Sequence, residues 1–159
     1  MKTFLIFSLI YFLTLGITGP SKGQSLSNLQ KSTIEKQVDS IFQSMVKAAE
    51  NLDYDQISKG VDDSHHAGFM VDGSYYAKYD SLITILKANL RSGTKQKITL
   101  QNKKITVLSD RIVLLTALGE TNVDLATGQS FHVKFTWSFV YEKFNNDWKV
   151  IYSHQARVN

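Results

Sequence analysis

The residue type best suited to moving a proton in this chain is a histidine near its end. Trp148, Val150, Tyr152 and His154 recur at every second position, with Lys149, Ile151, Ser153 and Gln155 between them. In an extended strand this spacing puts the imidazole in line with the apolar side. Desolvation there disfavours the charged form and leaves a neutral ring able to accept or donate a proton near pH 7. The structural alternative is a buried histidine that bonds a backbone or tyrosine partner and orders the final strand. Asp72 is the second candidate, as an acid or base working with His154. It precedes Gly73, and Asp-Gly is first of all a turn dipeptide in which glycine admits a positive φ.

The run Asp62-Asp63-Ser64-His65-His66 holds residue types that bind metals. Adjacent histidines on an extended segment point to opposite sides, however, and this spacing cannot close a tetrahedral site. The segment reads as a solvated loop. The chain has no cysteine, so disulfides, thiolate metal sites, a cysteine nucleophile and a lipid-bearing cysteine are all excluded. No metal and no cofactor is expected.

The elements that must position these residues fall into two halves. From Thr33 onward, Ile34, Val38, Ile41, Met45, Ala48, Ala49 and Leu52 recur at three- and four-residue steps, which predicts a long amphipathic helix. Asp53 can cap a short second helix carrying Tyr54, Ile57 and Val61. Residues 67–71 read as a strand, and residues 80–91 as a third helix with Leu82, Ile83, Leu86 and Leu90 on one face, stopped at Gly93. After Thr94 the period changes from helical to alternating, and turn residues at 109–110, 126–128 and 145–147 divide the remainder into strands of an antiparallel meander. Helices first and strands after predict an α+β domain, with helices gathered on one face of a curved sheet.

Between residues 129 and 144, Phe131, Val133, Phe135, Trp137, Phe139 and Tyr141 alternate with His132, Lys134, Thr136, Ser138 and Glu142, and only Val140 breaks the pattern. One face of this strand is a wall of rings, which fill a core first and line a pocket second. Residues 112–118 are apolar on both faces, whereas a strand with one solvated face alternates. A second copy of the chain packed on the outer face of the sheet is the expected cover, and a terminal segment is the other way to supply it.

At the opposite end, Lys2, an apolar run from Phe4 to Leu15, and Ser21-Lys22-Gly23 have the order of a cleavable signal peptide. The run is several residues short of the ~20 that span a bilayer. The expected organisation is a signal peptide over residues 1–23, a flexible lead over 24–32 and one domain over 33–159, secreted or periplasmic and without a stable membrane anchor after cleavage. Cleavage leaves 16 basic and 14 acidic residues. The basic residues are scattered, with no stripe interleaved with aromatics, so nucleic acid is not an expected partner.

The long first helix, the Asp53-led short helix, Phe69-Met70-Val71-Asp72-Gly73 before the third helix, Phe135-Thr136-Trp137 and the ending Trp148, Val150, His154 resemble the nuclear-transport-factor-2-like superfamily, and within it the SnoaL-like group. The ending is similar to that group's W-x-[IV]-x-x-x-H. The resemblance covers about residues 33–157 and implies a cone: helices packed in the concave face of a strongly curved antiparallel sheet, a cavity between them, and usually a dimer. Members include isomerases, polyketide cyclases, dehydratases, kinase assembly domains and transport factors, so the fold does not give the function. In the proton-shuttling members a carboxylate inside the cavity does the abstraction, and the aromatic wall here carries none. On this reading Tyr54, Phe69, Trp137 and Tyr152 line the cavity. The expected function is binding of a small, largely apolar molecule with His154 orienting it. The alternatives are proton-transfer chemistry with His154 and Asp72, or a non-catalytic assembly domain.

Overall fold

The computed structural model describes residues 25–89 and 92–158; the expected signal peptide lies outside them. The first helix, α1 (Asn28–Glu50), starts five residues before the point set by hydrophobic periodicity. Ser27 is the reason. Its hydroxyl accepts from the Gln30 N–H and the Gln30 side chain accepts from the Ser27 N–H, a reciprocal cap that satisfies two otherwise unpaired amides. Most of the expected flexible lead is therefore helix.

Helix α1 buries Ile34, Val38, Phe42 and Ala48 on one stripe. Leu52 then takes a positive φ, turning the chain so that Asp53 caps α2 (Tyr54–Lys59) by accepting from the Gln56 N–H. The loop that follows serves the next helix. Asp63 accepts from the first amide of α3 (Tyr79–Asn89), a cap supplied from sixteen residues away.

Six strands form one sheet: β1 (Phe69–Val71), β2 (Ser74–Tyr76), β3 (Gly93–Val107), β4 (Ile112–Leu125), β5 (Ser130–Phe144) and β6 (Asp147–Val158). Their order across the sheet is β2-β1-β6-β5-β4-β3. All neighbours are antiparallel except β1 and β6, which run parallel with Phe69 beside Ser153. The helices cover the concave face, and the core joins Val38 and Phe42 of α1 and Leu82 of α3 to Val113, Leu115, Tyr141 and Val150 of the sheet. This is the α+β cone that the resemblance implies. The hairpin strand β2, absent from the sequence reading, follows a turn in which Asp72 and Gly73 both have positive φ.

Register bulges occur in β3, near Thr94 and Gln101, and in β6, at Ile151. A bulge bends its strand and shifts the alternation by one residue. In β6 the pairing runs from Tyr141 with Val150 directly to Val140 with Tyr152, leaving Ile151 unopposed. Trp148 and Val150 face the core, but beyond the bulge it is Ser153 and Gln155 that point inward and Tyr152 and His154 that point out.

Candidate functional site

Between the helices and the concave face lies a cavity of about 190 Å³. Helix α1 contributes Phe42, Met45, Val46 and Ala49, α2 contributes Tyr54 and Ile57, and α3 contributes Tyr79 and Leu86. The sheet supplies Gln96, Ile98, Thr121, Trp137, Phe139 and Gln155. Each strand presents these as alternate residues, which is why a wall of this kind needs correct register rather than a local motif. Leu86, Gln96, Thr121, Trp137 and Gln155 also border an open groove of about 530 Å³, floored by Val123, Phe131, Val133 and Phe135. The cavity is thus partly open and continues outward into this groove. A wider cleft of about 690 Å³ at the start of α1 is a surface feature, bordered by Gln30, Gln37, Asp110, Arg111 and Lys143.

Trp137 is the central ring. It stacks on Phe135 with centroids 3.8 Å apart and meets Phe42 and Phe139 edge-on at 6.4 and 6.0 Å, arrangements that suit the ring quadrupole. The stack depends on Gly119, which pairs with Phe135 across β4 and β5 and leaves room for its ring.

The polar groups of the cavity are neutral. The Tyr54 and Thr121 hydroxyls are buried without a hydrogen-bond partner. Burial raises the Tyr54 pKa, so its phenol keeps its proton. Tyr79 is pushed well above the usual tyrosine range by the same cause. The Gln96 amide donates to the Ala49 carbonyl at 3.3 Å, which leaves its oxygen free. Cations beside these walls are each engaged by a carboxylate. Lys87, 5.9 Å from the Tyr54 ring, pairs with Asp55 at 3.2 Å. Lys103, over Phe42, pairs with Asp39. Arg157 at the groove's edge pairs with Asp72 at 2.8 Å.

The sequence-derived candidates are only partly gathered here. Tyr54 and Trp137 line the cavity. Phe69 is fully buried and packs edge-on against Tyr79 at 5.0 Å, so it is core beneath the site rather than its wall. Tyr152 and His154 are corrected in orientation: the bulge at Ile151 turns both to the outer face, where Tyr152 reaches the Met70 sulfur and His154 is exposed. Asp72 is at the rim, in the turn that the sequence suggests, and its carboxylate also accepts from the Arg157 backbone N–H. It is one strand away from the outward-facing His154 and does not share a cavity with it. Gln96, Thr121 and Gln155 went unnoticed in the sequence because their inward orientation follows from strand register alone.

The 62–66 segment is a loop, with Asp62 accepting from the Ser64 hydroxyl and the Ser64 backbone N–H, which together hold its carboxyl below the usual range. His65 instead contacts Glu142 at 2.8 Å. Among the described residues no cluster of three or more ligating side chains could hold a metal ion.

Residues 38–157 match the family model of the SnoaL-like domain. The chain belongs to the SnoaL-like family. No curated protein matches this SnoaL-like chain in sequence. Among solved structures it is similar to a nuclear transport factor 2-like superfamily protein from Salmonella enterica (TM-score 0.72, 13% identity, 81% of this chain and 94% of that one). It is also similar to a putative scytalone dehydratase from Novosphingobium aromaticivorans (TM-score 0.75, 6% identity, 84% and 89%). A third is a putative dehydratase of the NTF2-like family from Streptomyces avermitilis (TM-score 0.68, 13% identity, 80% and 99%). At these identities the likeness is one of fold, and the SnoaL-like domain's chemistry has to be argued from its own cavity.

Proposed function

We propose that this SnoaL-like domain is an exported binding protein that holds a small, largely apolar molecule between α1, α2 and the aromatic face of β5. The observation that carries this reading is the mostly apolar cavity around Trp137, set between the helices and the sheet. Concave, largely apolar pockets with a few polar groups are where small molecules bind. Binding is favoured over proton transfer because the polar groups lining the cavity are hydroxyls and amides, and none of these takes up a proton near neutral pH.

Two further parts of the reading rest on the sequence and on the outer face. The basic, apolar and small-residue order of residues 1–23 supports export to the periplasm or the exterior. Among the described residues no helix is long and apolar enough to cross a membrane. The outer face of the sheet presents half-buried Leu114 and Val140 beside Leu118, which is 40% exposed, and a second copy of the chain is the proposed cover.

The test of binding is titration with the neutral, environment-sensitive dye prodan, a two-ring naphthalene whose size suits the cavity. The wild-type chain is expected to enhance its emission, and Ala49→Phe, which puts a ring into the cavity, is expected to abolish that enhancement while circular dichroism stays unchanged. Enhancement of equal size in both proteins, or in neither, would sink the proposal.

A further inference from the structure

At the end of the cone where α1 starts, leucines point into water. Leu29 is 78% exposed and Leu108 61%, the highest values for large apolar side chains among the described residues. They come from different elements, the first turn of α1 and the hairpin between β3 and β4. Leu29 borders the cleft of about 690 Å³ at the start of α1, and Leu108 borders a second cleft beside it. Leu26, Gln30 and Asp110 line both, so the two clefts are halves of one surface.

The same surface is basic. Lys31, Arg111 and Lys143 border the clefts against a single acid, Asp110. Arg111 is engaged by Glu142 at 3.4 Å, but Lys31 and Lys143 have no carboxylate partner among the described residues. Lys143 lies instead 5.9 Å from the centre of the Trp148 ring. Apolar side chains rimmed by unpaired cations suit an anionic lipid surface, where the leucines enter the headgroup boundary and the ammonium groups stay level with the phosphates. A rigid protein partner fits less well. Hot spots between proteins centre on Trp, Tyr and Arg packed in matched pockets, whereas leucines standing beside open clefts suit a fluid that can fill them.

Chain connectivity points the same way. Nine residues separate Leu15, where the apolar run of the expected signal peptide stops, from Ser25. Fully extended, that link reaches about 35 Å at most. During export, while the apolar run is in the bilayer, the α1 end of the domain is therefore the end held nearest the lipid.

We infer that this end is a peripheral membrane-contact face, which inserts Leu29 and Leu108 reversibly into an anionic lipid surface once the signal peptide has been removed. Two leucines and a few cations give a weak, salt-sensitive contact rather than an anchor. The contact is independent of the cavity and of what it holds.

Vesicle co-sedimentation of the chain from Gln24 to Asn159, which contains every described element, tests it. The probes are vesicles of equal parts phosphatidylglycerol and phosphatidylcholine, and vesicles of phosphatidylcholine alone. Binding is expected to the first, at least about tenfold weaker to the second, and reduced by raised salt. Leu29→Asn combined with Leu108→Asn is expected to weaken binding about a hundredfold, from ~tenfold for each leucine withdrawn from the lipid. Lys31→Gln should weaken it about fivefold. All three side chains are exposed, so circular dichroism of both variants should match the wild type.

Equal binding to the two kinds of vesicle would overturn the choice of anionic lipid, and undiminished binding by the leucine variant would overturn the face itself. So would failure of the wild-type chain to bind either vesicle, which would leave the two leucines to a protein partner.

Discussion

Replacing Gly119 by alanine tests whether the aromatic wall depends on a close approach of backbones. An added Cβ at this position would meet the Thr99 carbonyl oxygen at 2.3 Å, Phe135 Cζ at 2.9 Å and Leu100 Cα at 3.1 Å. Unstrained carbon contacts begin near ~3.5 Å, so β3 has to retreat by about 1 Å, and two of the three obstructing atoms belong to its main chain. Overpacking of this kind costs ~1–3 kcal/mol and sometimes more. Removing a glycine from a strand interior returns ~0.5–1 kcal/mol.

With contacts this short the cost lies at the upper end, so a net loss of about 2 kcal/mol is expected for Gly119→Ala, a sizeable part of the ~5–15 kcal/mol that holds a domain of ordinary stability. Gly128→Ala is the control. Its Cβ would meet nothing within 4 Å, and only the φ of +81° opposes it, at about 1 kcal/mol. Urea unfolding of both variants gives the comparison, with an unchanged slope confirming that stability alone has moved. Because Phe135 supports Trp137, prodan binding should weaken in Gly119→Ala and not in Gly128→Ala. Equal stability of the two variants would refute the reasoning.

Other expectations concern ends, faces and ionisation. Ser27→Ala removes a reciprocal helix cap and should lower stability by about 1 kcal/mol in a thermal melt. His154→Ala, on the exposed side of β6, should leave prodan affinity unchanged; a large loss would return His154 to the site. Leu118→Asp on the outer face should convert a dimer to a monomer in sedimentation velocity, and a wild-type monomer would refute the dimer outright. Burial raises the pKa of Tyr54, Tyr79 and Tyr141 in the folded state. Their contribution to stability is full below the unfolded pKa of about 10 and declines as pH rises above it. Phenolate absorbance should therefore show Tyr79 and Tyr141, the two most deeply buried, ionising only together with unfolding.

Much of the architecture was legible because it depends on periodicities that span many residues. The alternating rings of β5, the residues apolar on both sides in β4, the Asp53 cap and the turns at 109–110, 126–128 and 145–147 all lie where their residue types place them. The site was less legible, since it is assembled by register. Ile151 has nothing in its chemistry that marks a bulge, yet its insertion exchanges Tyr152 and His154 for Ser153 and Gln155 on the inner face. Thr121 and Gln96 are ordinary polar strand residues until pairing sets them on the concave side, across from helix residues far away in sequence. The early start of α1 was written in Ser27 and Gln30, but hydrophobic periodicity is visible only from Thr33 onward and drew the boundary there.

The parallel seam between β1 and β6 also constrains the order in which the molecule can be completed. Strands β3, β4 and β5 join their neighbours through short turns and can pair as soon as they exist. The β1–β2 hairpin cannot follow them. Its only other neighbour is β6, the last strand in the chain, which is inserted between β1 and β5 and whose Gln155 carbonyl accepts from the Asp72 N–H. Closing so distant a contact is entropically late. During synthesis the segment from Phe69 to Tyr76 waits for residues 147–158 to emerge, and until then one side of the cone stays open and the chain remains threadable.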